Sequence, residues 1–210
     1  MKTLLNPFLV IGAGGHSRVV IDSLERSYCN IAGIVDTNYS GKKESIMGYP
    51  VLGGTYVIDN YDLSDINIAV AIGNNEEREE IFNRLLLKGY NLPKIIDSTS
   101  IISRSALIDK GTYINAGAII NSCSTIGKNV IINTGSIIEH EVEIGDHTHI
   151  GPGVKIAGRV KIGKNSFIGI GSIIIQKIEI GEKAIIGAGT VVLSNVEPGS
   201  TFVGIPGKKK

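Results

Sequence analysis

From Ile102 to Val192 every sixth residue is Ile or Val, sixteen times in succession without an insertion, and fifteen of the sixteen are Ile. The position four residues later is also restricted, running from Ala106, Thr112 and Ala118 to Thr190 and Val196, with only Ile178 larger than Val. The residue directly after each Ile is mostly Gly, Asn or Asp, as in Ile126-Gly127, Ile144-Gly145 and Ile162-Gly163, and such residues suit bends. A period of six fits neither an α-helix nor a heptad, and it matches the hexapeptide repeat of a parallel β-helix. Each hexad is then a short strand and a corner, and three hexads close a triangular coil. Successive coils stack at the strand spacing of roughly 4.8 Å. Bulky Ile fills the interior and small residues fit the corners, so sixteen hexads build about five coils. The composition agrees, because 37 Ile against 12 Leu favours strands over helices.

Before residue 100 the pattern is different. Phe8 to Ile11 reads as a strand, Gly12-Ala13-Gly14-Gly15-His16 as a glycine turn, and Ser17 to Arg26 as a helix. Ile31 to Val35 is a second strand ending at Asp36. Ile68 to Ile72 is a buried strand stopped by Gly73-Asn74-Asn75, and a charged helix follows from about Glu76 to Lys88. Lys94 to Asp97 is expected as the last strand of this part. The order describes a small parallel α/β, Rossmann-like nucleotide-binding domain over residues 1–97, followed by the β-helix over 98–210.

Charge and targeting narrow the function. With 21 Lys+Arg against 20 Asp+Glu there is no global field for nucleic acid or an anionic membrane. No segment approaches the roughly 20 apolar residues of a membrane span, and Asn6 and Pro7 interrupt the apolar start where a signal peptide would continue. Cys29 and Cys123 have no metal-ligand spacing and read as buried, reduced thiols. These features place the chain in the cytoplasm.

A glycine turn between a strand and a helix presents backbone N–H groups and the helix dipole to phosphate. Asp36, 21 residues beyond Gly15, stands where an acidic residue commonly meets a ribose. The pattern here is G-x-G-x-x-S, an incomplete dinucleotide fingerprint in a domain half the size of a full dinucleotide fold. It points to a nucleotide diphosphate site rather than a dehydrogenase; a glycine turn needed only for packing is the alternative. In the β-helix, His140, Glu141, His147 and His149 could do chemistry. Counting by 18 puts Ser122, His140, Gly158, Gln176 and Ser194 in one column, so an outer imidazole sits one coil from a glycine N–H. That pairs a general base with a donor able to polarise a carbonyl, and Glu141 could orient the ring or raise its basicity. A solvated surface imidazole is the alternative. Zinc held by three histidines is disfavoured because His140, His147 and His149 occupy different parts of their hexads; His147 is expected at the surface and no metal site is expected.

These residues resemble the NeuD/PglD family of bacterial sugar acetyltransferases over almost the whole chain. The resemblance rests on Gly12-Ala-Gly-Gly-His16, Val35-Asp36, Ala71-Ile-Gly-Asn-Asn-Glu76, the hexads, Ile138-Glu-His-Glu141, Ile144-Gly with His149, and Phe202-Val-Gly-Ile-Pro-Gly207. It implies a left-handed β-helix and a homotrimer with active sites between subunits. It also implies His140 as general base with Glu141 as its partner. His149, Gly158, Ile170 and Ala188 become acetyl-CoA contacts, although relatives can have glycine in place of Ala188. Gly14, Gly15, His16, Asp36, Thr37 and Gly73 become nucleotide-sugar contacts, with Thr37 departing from an acidic pair.

Transfer would be direct, since Cys123 is not in the column of His140. The expected function is acetyl-CoA-dependent N-acetylation of a nucleotide-linked deoxyamino sugar in surface glycan biosynthesis. The alternative is O-acetylation of a sialic acid, as in the NeuD branch. A scaffold that keeps the trimer but lacks catalysis is a second class. The Lys208-Lys209-Lys210 tail could approach coenzyme A phosphates or lie solvated at the terminus.

Overall fold

The computed structural model describes residues 6–210; the apolar start at 1–5 considered as a targeting segment lies outside the described residues. The chain divides into two compact units, one ending at Ser98 and the other spanning Thr99–Lys210.

The first unit is a five-stranded sheet with helices. Strand β1 (Phe8–Ile11) leads into α1 (Gly15–Arg26), followed by β2 (Ile31–Val35), β3 (Ser45–Ile46) and β4 (Tyr49–Gly53). A 3-10 turn at Thr55–Asn60, β5 (Asn67–Val70) and α2 (Asn75–Leu87) complete it. The strand order is β3-β4-β2-β1-β5, with β1 parallel to both β2 and β5. The chain moves outward from β1 to β2 on one side and returns to β5 on the other. Such a switch point opens a crevice at the carboxyl ends of β1 and β5. The core joins Leu9, Ile11 and Ile68 on the sheet, and Ile66 just before β5, to Ile81, Phe82 and Leu85 on α2. Ile95–Ile96 does form a short strand, but this sheet excludes it; the edge beyond β5 is extended only by a parallel bridge between Asn67 and Asn91. Asp97 instead fastens α1, accepting from Ser23 Oγ at 2.5 Å and Arg26 Nε at 3.1 Å.

The second unit is the expected β-helix, left-handed as in the solved structures that it matches. Its two-residue strands point one side chain out and one Ile in. A first face stacks the strands from Ile101–Ile102 through Ile137–Ile138 to Val191–Val192, and a second runs from Leu107–Ile108 through Glu143–Ile144 to Glu179–Ile180. A third includes Tyr113–Ile114, His149–Ile150, Phe167–Ile168 and Ile185–Ile186. Between Ile101 and Val192 the ladder partners are 18 residues apart, as with Ile120 and Ile138. From Ile114 to Ile186 the inward Ile of every hexad is at most 3% exposed, and burying each stabilises the coil by about 1.5–3 kcal/mol. The small corner residues also hold coils together. Thr112, Ser124, Ser136, Thr148, Ser166 and Ser172 each donate to the carbonyl 15 residues ahead.

Three local expectations are corrected. Glycine after Ile is not the bend residue: the left-handed position lies three residues after Ile, at Gly117, Cys123, Asn129, Gly135, Glu141 and His147 among others. Gly127, Gly145, Gly163 and Gly181 are required by close approach, because a Cβ on Gly163 would stand 2.3 Å from Glu182 N on the next coil. His147 is buried, not a surface residue, since the left-handed corner aligns it with Asn129 one coil back, and Asn129 Nδ2 lies 2.8 Å from His147 Nδ1. The cysteines are not buried thiols: Cys29 is half-buried and Cys123 exposed. The C-terminal lysines are exposed, with Lys208–Lys209 pairing antiparallel to Thr201–Val203 and Lys209 Nζ 2.5 Å from Glu197.

Candidate active site

His140 and Glu141 form the corner between the first and second faces of the β-helix. Glu141 adopts φ 58°, and its N–H donates to Ser122 O, so the pair is tied to the preceding coil. Glu141 Oε2 lies 3.0 Å from His140 Nδ1 and accepts from Arg159 Nε at 2.9 Å. The hydrogen bond from Arg159, and after it that from His140, hold the Glu141 carboxyl below the usual carboxylate range. A carboxylate accepting at Nδ1 places the ring proton there and leaves Nε2 as the acceptor. On the Nε2 side is Gly158, one coil on: a Cβ there would stand 2.5 Å from Nε2. The stack is stitched by Arg159 N–H to His140 O at 3.0 Å and by Lys177 N–H to Gly158 O at 3.1 Å. The column count pairs His140 with Gly158 and Glu141 follows His140 in the chain; Arg159 was not read from the sequence, although counting 18 from Glu141 finds it.

His149, Ile170 and Ala188 are elsewhere. His149 points out from the third face, packs edge-on to Phe167 with ring centroids 5.2 Å apart, and has Nε2 3.3 Å from Asn133 Nδ2. Asn133 in turn accepts from buried Asn115 at 3.0 Å. Ile170, 57% exposed, and Ala188 lie on the corner just after that face. In a triangular prism the His140 corner is opposite the third face. One chain thus carries two separate clusters, one around the His140 imidazole and one an apolar, partly polar ledge.

In the first unit the glycine turn divides by role. Gly12 is structural, since its φ is 111° and a Cβ would stand 2.9 Å from Ala71 O. Gly14, Gly15 and Gly73 have nothing of the protein within 4 Å of a built Cβ, so internal packing does not require glycine there. Gly14 is the N-cap of α1, without a side-chain cap, and Gly15 and the half-buried His16 begin the helix. Asp36 binds the loop itself, accepting from Ala13 N–H at 2.5 Å and Asn38 N–H at 2.7 Å. Thr37 Oγ1 donates to Glu77 of α2 at 3.0 Å. Two arginines were not anticipated. Arg18 Nη1 donates to Gly14 O at 2.8 Å, placing a cation beside the turn. Arg78 is 1% exposed and donates to Ile72 O and Gly73 O, both at 3.2 Å, and to Asn75 Oδ1 at 2.8 Å, so it shapes the second loop. Burial lowers its pKa to about 9. Among the described residues no group of three His, Cys, Asp or Glu side chains is placed to hold a metal ion, and no helix is long and apolar enough to cross a membrane.

A Rossmann-like unit followed by a left-handed hexapeptide β-helix with an outer-corner histidine defines the class of hexapeptide-repeat acyltransferases. Residues 8–85 match the PglD N-terminal domain, and 123–158 and 159–194 match the bacterial transferase hexapeptide (six repeats). The chain is similar to UDP-N-acetylbacillosamine N-acetyltransferase of Bacillus subtilis (strain 168), 33% identical over 112 residues. That match covers 51% of this chain and 50% of the relative, so it spans about half the length of that curated protein. A variant of GDP-perosamine N-acetyltransferase from Caulobacter crescentus, in complex with CoA and GDP-perosamine, superimposes with a TM-score of 0.94 at 32% identity, covering 98% of this chain and 97% of that one. The acetyltransferase domain of PglB from Neisseria gonorrhoeae FA1090, in complex with acetyl coenzyme A, gives 0.92 at 32% identity, covering 98% and 100%. The chain belongs to the NeuD/PglD family of hexapeptide-repeat sugar acetyltransferases.

Proposed function

We propose that the protein transfers the acetyl group of acetyl-CoA to the amino group of a nucleotide-linked deoxyamino sugar. The observation that carries this reading is the His140 corner, where Glu141 occupies Nδ1 and Nε2 faces Gly158. The acceptor class is supported by relatives whose names specify GDP-perosamine and UDP-N-acetylbacillosamine, and the donor by complexes with CoA and acetyl-CoA.

Nε2 of His140 takes a proton from the acceptor amine as its nitrogen attacks the thioester carbonyl carbon. The Gly158 N–H stabilises the developing oxyanion. Collapse breaks the carbon–sulfur bond, and the thiolate leaves as CoA after taking the proton from His140. No acyl-enzyme is required. Gly14, Gly15, His16 and Gly73 hold the nucleotide-sugar at the α1 N-terminus and the neighbouring loop, with the Asp36 carboxylate at the ribose and Thr37 beside it. His149, Ile170 and Ala188 hold acetyl-CoA. Since these lie across the prism from His140, a site containing both clusters needs a second copy of the chain, as in a homotrimer with active sites between subunits.

The test is thiol release from acetyl-CoA with UDP- and GDP-linked amino sugars and with free sialic acids as acceptors. Turnover with a nucleotide-linked amino sugar is expected. Turnover with sialic acids alone would overturn the proposal in favour of O-acetylation, and none with any acceptor would favour a scaffold.

A further inference from the structure

Arg159 follows Gly158 and belongs to no motif in the sequence. Its place comes from the coil: it stands 18 residues after Glu141, and both residues are left-handed, with φ 61° and 58°. Their side chains therefore leave equivalent points on adjacent coils. Arg159 Nε donates to Glu141 Oε2 at 2.9 Å, the same oxygen that lies 3.0 Å from His140 Nδ1.

We propose that Arg159 is a positioning residue for acetyl transfer, holding the Glu141 carboxylate in the one rotamer that fixes His140 with its proton on Nδ1 and its lone pair on Nε2. This rests on the reading of His140 as the base. The physical need is clear from exposure: the side chains of Glu141 and Arg159 are 46% and 57% exposed. An exposed glutamate beside a histidine has several rotamers and competing water, and a second donor on the same oxygen removes that freedom. An exposed ion pair contributes little to stability, so its effect is expected in rate rather than folding. Arginine suits the role because its planar guanidinium presents Nε–H at a fixed angle, whereas lysine offers only a mobile point charge.

The test compares wild type, Arg159→Met, Arg159→Lys, Glu141→Gln and the Arg159→Met/Glu141→Gln double variant by steady-state kinetics and by imidazole nitrogen-15 NMR of His140. Arg159→Met is expected to lower kcat about 10-fold while KM for acetyl-CoA stays within about twofold, with Arg159→Lys recovering part of the loss. In the Glu141→Gln background the same change is expected to alter kcat less than about twofold, because the residue acts through Glu141. The spectra are expected to show the Nδ1–H tautomer in wild type and a mixture in Arg159→Met. A raised KM with kcat retained, independent effects in the double variant, or an unchanged tautomer would each overturn the proposal. A wild type without transferase activity would reject the functional reading instead, and the nitrogen spectra alone would then decide whether Arg159 sets the tautomer.

Discussion

The imidazole of His140 occupies the space that a side chain on Gly158 would fill: a Cβ at that position would stand 2.5 Å from Nε2 and 2.6 Å from Cε1. The absence of a side chain on one coil is thus a condition for the histidine on the coil before it. Gly158→Ala needs no left-handed backbone, so its cost falls on the ring, which must swing away. The expected result is a loss in kcat of about 10- to 100-fold, the scale of a misplacement near 1 Å, with the melting temperature nearly unchanged. Kinetics and thermal unfolding on the same preparation check it.

Gly163→Ala is expected to behave in the opposite way. Its Cβ would meet Glu182 N at 2.3 Å and Cα at 2.6 Å, and backbone cannot move aside as an exposed ring can. Stability is expected to fall by about 1–3 kcal/mol, as for overpacking in a core. Denaturant unfolding measures it.

Gly15→Ala separates ligand from fold. A Cβ there meets nothing within 4 Å, and alanine favours the first turn of a helix. The melting temperature is expected to hold or rise slightly, while KM for the nucleotide-linked acceptor increases and KM for acetyl-CoA does not. An unchanged acceptor KM would remove the glycine turn from the binding site.

Glu141 provides a pH signature. Its folded carboxyl lies below the usual range because Arg159 and His140 donate to it, so the interaction is complete above the ordinary carboxylate pKa of about 4.3 and is lost only as pH falls through the lowered value. Carbon-13 NMR titration is expected to find Glu141 ionising below the ordinary carboxylate value, and closer to that value in Arg159→Met.

The β-helix was legible in the sequence because its period is absolute: one inserted residue would turn every following Ile outward. The same register located Gly158 beside His140. Chemistry that depended on conformation within the hexad was harder to read. Glycine after Ile looked like a bend, whereas steric contact with the next coil requires it and the left-handed turn lies two residues further on, at Glu141 and its equivalents. His147 reads as a surface residue in the sequence, but the corner stacks it beside Asn129. Arg78 was hidden in the charged pattern of α2; only the loop carbonyls of Ile72 and Gly73 show why a buried guanidinium belongs there.

The most direct test of the account is the turnover of His140→Ala with acetyl-CoA and a nucleotide-linked amino sugar that the wild type accepts. General-base loss predicts a fall in kcat of about 100-fold or more with both KM values little changed and the fold intact by circular dichroism. Wild-type kcat in that variant would contradict the central claim that this corner carries the reaction.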